Sequence, residues 1–206
     1  ALLEAHGCNM VFMGSLHQFF PEVSDINEIK TLPAGPYGSG LEEQFRPGHL
    51  DGVRTIVERL FLTVGASRVY FGEKDFQQTL VVADLAREMG YPEVVVCPTV
   101  REDSGLALSS RNVRLSADEK TRAPQIYPAL LAARDAWSSG ERDPGRLSAI
   151  MIECLNHDGL VVEYAEVRDP GRWISQPQAT PLEHGQALIA VRIGSVRLID
   201  NLRLDQ

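Results

Sequence analysis

Between residues 53 and 97 the hydrophobic period of the chain changes at every step, and few folds accommodate such a segment. Val53, Ile56, Val57, Leu60, Phe61 and Val64 recur at helical spacing, and Gly65 stands where that helix would stop. Residues 68–72, Arg-Val-Tyr-Phe-Gly, are a short run of β-formers. Residues 75–89 return to a helical pattern, ended by Gly90 and Pro92. Residues 94–97, three valines and a cysteine, are apolar without alternation, the pattern of a parallel strand covered on both faces. Two strands joined through a helix lie parallel, because the crossover returns the chain to the same end of the sheet. The fold class is therefore α/β, with this segment part of a doubly wound, Rossmann-like parallel sheet.

The flanks read differently. Residues 1–7 resemble the last turns of a helix closed by Gly7, and residues 8–12 a buried strand. A chain that starts inside a helix without an N-cap leads us to expect further sequence upstream. Residues 33–40 are turn chemistry throughout. Beyond Pro98 a polar stretch runs from 101 to 114, and Ser116 to Glu119 form a capping box. That box opens a long helix ending near Gly140, with irregularity expected around Pro124 and Pro128, and a second helix follows Pro144. Three strands are expected at 161–168, 187–193 and 196–201, the last two joined by a tight Gly194-Ser195 hairpin. Two units result: residues 1–99, an α/β layer, and residues 100–206, a smaller α+β domain.

Charge limits the partners. The 206 residues carry a formal net charge of −8, which disfavours nonspecific nucleic-acid binding but leaves room for a small anionic ligand held by two or three local cations. No apolar run reaches membrane-spanning length, and the N-terminus lacks a signal-peptide profile, so a cytoplasmic protein without membrane contact is expected. Cys8, Cys97 and Cys154 show neither C-x-x-C nor metal-ligand spacing and read as reduced thiols. No metal site is assigned.

Three polar clusters could carry chemistry. The densest, Gly72, Glu73, Lys74, Asp75, Phe76, Gln77 and Gln78, stands at a strand–helix junction. Ligands of α/β sheets bind at the carboxyl ends of strands, where a helix N-terminus offers free N–H groups to anions. A lysine there opposes the helix dipole, and a bound phosphate would relieve the conflict. Asp75 could accept from a ribose, and Gln78, one turn along, can face the same cavity. An ordinary solvated helix start capped by Asp75 explains the segment equally well. The second cluster is Leu108, Ser109, Ser110, Arg111 and Asn112. Two hydroxyls and a guanidinium can hold a polyphosphate, although a polar linker is the simpler local account. In the third, Arg46-Pro47-Gly48-His49, His49 either reaches substrate or caps the turn. His6, His157, His184, Trp137 and Trp173 have no partners at meaningful spacing and are read as packing or surface residues.

In this order the segments "FRPGHLDGV", "VYFGEKDFQQ", "PTVREDSGLALSSRN", "VRLSADE", "VEYAEVRD" and "RLIDN" resemble the pantothenate synthetase (pantoate–β-alanine ligase) family. The resemblance runs from residue 1 almost to the end. It implies that Gly72, Glu73, Lys74 and Asp75, with Ser109, Ser110 and Arg111, bind ATP, Lys74, Ser109 and Arg111 as the catalytic groups. It also implies that Val100 borders the adenine through its backbone beside Leu108, and that Gln78 and His49 contact substrate. The implied reaction joins pantoate to β-alanine through a pantoyl adenylate, releasing pyrophosphate and AMP, with Mg²⁺ accompanying ATP, in a homodimer.

Departures are small at Phe76, where the family commonly has Tyr, and at Leu108, where Met is frequent. A larger one concerns Met13-Gly14-Ser15-Leu16-His17, which imitates the family's Met-Gly-Ala-Leu-His-x-Gly-His motif. Phe19 and Phe20 replace the Gly and His of its second half, and too little chain separates His17 from His49. His17 is therefore not expected to bind phosphate, and the chain reads as lacking the part that carries the motif. The resemblance thus implies that residues 1–99 are the second half of a nucleotide-binding α/β domain and residues 100–206 its C-terminal α+β lid domain. Activity of the chain alone is accordingly in doubt. The alternatives are a noncatalytic nucleotide-binding or dimerising remnant, and another adenylate-forming enzyme such as a tRNA-charging one, against which the acidic balance argues.

Overall fold

The structure, a computed structural model, describes residues 2–156, 159–173 and 180–206. Ala1 and His157 lie outside the described residues. Three one-turn helices come first: α1 (Leu2–Ala5), α2 (Leu16–Phe19) and α3 (Glu42–Phe45). The alternating segment then follows as α4 (His49–Val64), β1 (Arg68–Gly72), α5 (Phe76–Met89) and β2 (Glu93–Cys97). The strands are parallel and in register, from Arg68 opposite Glu93 to Gly72 opposite Cys97. Gly65 and Gly90 end the two helices at φ of +63° and +76°, a conformation that costs other residues roughly 1–2 kcal/mol.

Helices α4 and α5 cover one face of this pair. Val57, Phe61, Val82, Leu85 and Ala86 pack against Val69, Phe71 and Val94. Arg54 fixes the helices to each other through Asp84 at 2.9 Å and Glu88 at 2.5 Å. The expected cover on both faces is not met: Tyr70 is 64% exposed, and both helices lie on the other side.

The C-terminal half is built from α6 (Ala117–Arg122), α7 (Ile126–Ser138), α8 (Pro144–Cys154) and strands β3 (Leu160–Arg168), β4 (Gln186–Ile193) and β5 (Val196–Arg203). The Ser116 capping box forms as expected. A short 3-10 turn at Ala123–Gln125 separates α6 from α7. The irregularity falls at Pro124, whereas Pro128 sits in the first turn of α7, where no intrahelical bond is lost. The strands form an antiparallel sheet in the order β3-β4-β5. Gly194, at φ +55°, makes the tight turn between Ile193 and Val196. Alternation along β4 divides its side chains: Ala187, Ile189, Val191 and Ile193 face α7 and α8, while Leu188 and Ala190 face Leu41, Tyr164 and Trp173. Both faces are buried, which explains the near-continuous apolar run.

One N-terminal expectation needs correction. Residues 8–12 form no strand: Met10 is 80% exposed, and β1 and β2 pair with each other rather than with this segment. Without a ladder partner, its amides have no sheet bonds to make. The turn stretch 33–40 contains one short 3-10 turn at Gly35–Tyr37.

Candidate functional site

The carboxyl end of β1 passes through a 3-10 turn, Glu73–Asp75, into α5. This turn faces the second side of the antiparallel sheet across a cleft bordered by His49, Lys74, Asp75, Gln78, Tyr164 and Asp200. An adjoining cleft is bordered by Lys74, Ala107, Ser109, Arg111, Arg197 and Asp200. Lys74 and Asp200 border both. The Lys74 side chain is 17% exposed, and its ammonium lies 3.3 Å from the Asp75 carboxylate.

Each wall has a physical support. Asn201 on β5 donates from Nδ2 to the carbonyls of Glu73 and Lys74, both at 2.9 Å. Asp200 accepts two bonds from Arg101, at 2.5 and 3.0 Å, and the Arg101 guanidinium lies 3.9 Å from the centre of the Tyr127 ring. Burial pushes the Asp200 carboxyl above its ordinary range, against the pull of Arg101 and Lys74. Arg101 and Ala107 bridge antiparallel, and the loop then enters a 3-10 turn where the Ser109 hydroxyl accepts the N–H of Arg111 at 3.2 Å.

The floor is a buried ionic group. Glu42, at the start of α3, receives Nη1 and Nη2 of Arg197 at 2.9 and 2.8 Å and the Tyr164 hydroxyl at 2.8 Å. Nε of Arg197 donates to Glu163 at 2.6 Å. Burial alone would raise the Glu42 carboxyl, but hydrogen bonds from Arg197 and Tyr164, with the charges of Arg197 and Arg46, hold it below its ordinary value. Leu41, fully buried, precedes it at φ +48°. Gln77 fastens this loop, accepting from the Glu42 N–H at 3.1 Å and donating to the Tyr37 carbonyl at 2.8 Å.

His49 is the first residue of α4, and Gly48, at φ +72°, is the N-cap, with no side-chain cap bond. The imidazole borders the cleft instead of capping the turn. Burial lowers its pKa, as do the cations Arg46 and Arg111, against the opposite pull of Glu42 and Asp75, and the neutral ring is favoured.

Of the residues singled out in sequence, Lys74, Asp75, Gln78, His49, Ser109 and Arg111 meet at the two clefts. Gly72, Glu73, Val100, Leu108 and Ser110 border neither. Val100 is 66% exposed, and its carbonyl accepts the Leu108 N–H at 2.9 Å. His17 is exposed and also borders neither cleft. His184, read as partnerless, lies at the surface 2.6 Å from Asp205. Trp137 and Trp173 are core residues. Sequence reasoning missed Glu42, Tyr164, Arg197, Asp200 and Asn201. For the last three a signal existed: Arg197, Asp200 and Asn201 stand among Val196, Leu198, Ile199 and Leu202 of β5, and polar groups in such a strand must be satisfied by the fold.

Parallel strands, a helix start and two cations at one cleft define an α/β protein able to hold an anionic small molecule. A profile of the pantoate-beta-alanine ligase family matches residues 1–203. The pantothenate synthetase of Herpetosiphon aurantiacus is 42% identical over 98% of this chain and 72% of its own length. The crystal structure of pantothenate synthetase from Thermus thermophilus superposes with a TM-score of 0.87 at 38% identity, covering 98% of this chain and 72% of that one. A Francisella tularensis pantoate-beta-alanine ligase, complexed with beta-gamma ATP and beta-alanine, gives 0.71 at 26% identity over 100% of this chain and 68% of its own. The chain belongs to the pantoate–β-alanine ligase family, a family of enzymes.

Proposed function

We propose that the paired clefts bind ATP, pantoate and β-alanine, and that ligation proceeds through an acyl adenylate. The pantoate carboxylate attacks the α-phosphorus of ATP and pyrophosphate leaves. The amine of β-alanine then attacks the acyl carbon, and AMP leaves. Neither step needs a protein nucleophile, so catalysis consists of in-line positioning and of neutralising charge on phosphate oxygens. Lys74 and Arg111 supply that charge; Ser109, whose oxygen already accepts an N–H, keeps its O–H free to donate. Gln78 orients pantoate. A neutral His49 can accept hydrogen bonds from a substrate in the same cleft.

The observation that carries this reading is the position of Lys74 on the boundary of both clefts, between Arg111 and Gln78. The Francisella relative, complexed with beta-gamma ATP and beta-alanine, supports the choice of ligands. Among the described residues no three His, Cys, Asp or Glu side chains cluster to hold a metal; Mg²⁺ would enter on the phosphates of ATP. The chain divides near residue 100 in this reading, with 1–99 presenting Lys74 and 100–206 presenting Ser109 and Arg111. Three free cysteines suit a reducing cytoplasm, where a homodimer is the expected assembly.

The test is AMP release with pantoate, β-alanine and ATP. Lys74→Ala should lower it by two or more orders of magnitude, roughly the effect of losing one preorganised charge at a phosphoryl group. Near-normal turnover would remove Lys74 from the chemistry.

A further inference from the structure

We infer that Asn201 is a positioning residue for Lys74, fixing the turn from which the ammonium enters the cleft; this depends on the proposed grip of Lys74 on ATP. Nδ2 of Asn201 bonds to two successive carbonyls, those of Glu73 and Lys74, each at 2.9 Å. Carbonyls only accept, so the amide nitrogen must face the turn and the oxygen must face away. That oxygen receives Nε2 of Gln186 at 2.9 Å, and both side chains are buried. The amide is thus locked at both ends. Local support for the turn is slight by comparison: its N-cap is Gly72, which has no side chain to cap it. The neighbouring Asp200 meanwhile holds Arg101, at the base of the loop that carries Ser109 and Arg111. Two successive residues of β5 therefore fasten opposite walls of one site.

The experiment is a double-mutant cycle read as kcat/KM for ATP, with Lys74→Ala, Asn201→Ala and the pair. Asn201→Ala should lower kcat/KM roughly 10- to 100-fold, the scale of a misplaced catalytic group. In the Lys74→Ala background the same change should cost less than about threefold, because Asn201 acts through the lysine. An equal loss in both backgrounds would make Asn201 merely structural and overturn the inference. Near-normal activity of Lys74→Ala alone would instead overturn the role of the lysine, a separate failure. Should Asn201→Ala not fold, Gln186→Met, which unlocks the amide but leaves it in place, decides the matter. A rise in KM for ATP supports positioning, and unchanged kinetics in the folded variant refutes it.

Discussion

The antiparallel sheet and the parallel pair meet at one cleft but are stabilised differently. β4 lies between two buried layers, with Leu130, Leu147 and Met151 closing one of them without solvent exposure. The parallel pair has helices on one face and an exposed tyrosine on the other. Yet the parallel side presents Lys74, Asp75, Gln78 and His49, whereas the antiparallel side presents Asn201, which holds the turn that bears Lys74. It also presents Tyr164 and Arg197, which hold Glu42, and Asp200, which holds Arg101. The more enclosed sheet is the anchor, and the cations Lys74 and Arg111 stand on turns that lie against it. Rigid support behind a turn-borne site is a general way to combine access with precise placement.

The contrast can be broken by substitution. The largest effect is expected at Glu42, where Glu42→Ala leaves the Arg197 guanidinium without its bidentate partner; about 3–5 kcal/mol should be lost in urea unfolding. The same carboxylate sets an acid limb. Its folded pKa lies below its unfolded value, so its stabilisation is complete above the unfolded pKa, near 4.5, and is lost as pH falls through the folded one. Glu42→Gln should flatten that limb relative to the parent, a difference in which the opposite contribution of Asp200 cancels. Next, Leu130→Ala in the antiparallel core should cost about 2–5 kcal/mol by the same measurement. Smallest is Tyr70→Ser on the open face of β1, expected within about 0.5 kcal/mol. A cost at Tyr70 matching that at Leu130 would mean that the parallel layer is an anchor too.

Local chemistry was legible wherever a residue's own neighbours decide its state. The alternation at 53–97, the Ser116 box and the Gly194 turn all form as their sequences predict. Residues 8–12 have strand composition but no ladder, because pairing is decided by another segment. The same limit hid part of the site. Lys74 and Arg111 are visible as cations in polar runs, but Glu42 in "LEEQF" looks like any surface glutamate. Its burial follows from meeting Arg197, a partner that leaves no mark on the neighbouring sequence.

The separation of these partners along the chain has a consequence for biosynthesis. Glu42 and Arg197 stand 155 positions apart, and Asn201 reaches back 128 positions to Glu73. On a translating ribosome the first partner of each couple waits, exposed, until β5 has emerged. Closure of such long loops is slow, because chain entropy is surrendered before any contact rewards it. The cleft is thus completed only once β5 is in place, and a nascent chain interrupted before the β4–β5 hairpin carries Lys74 on a turn that Asn201 has not yet reached.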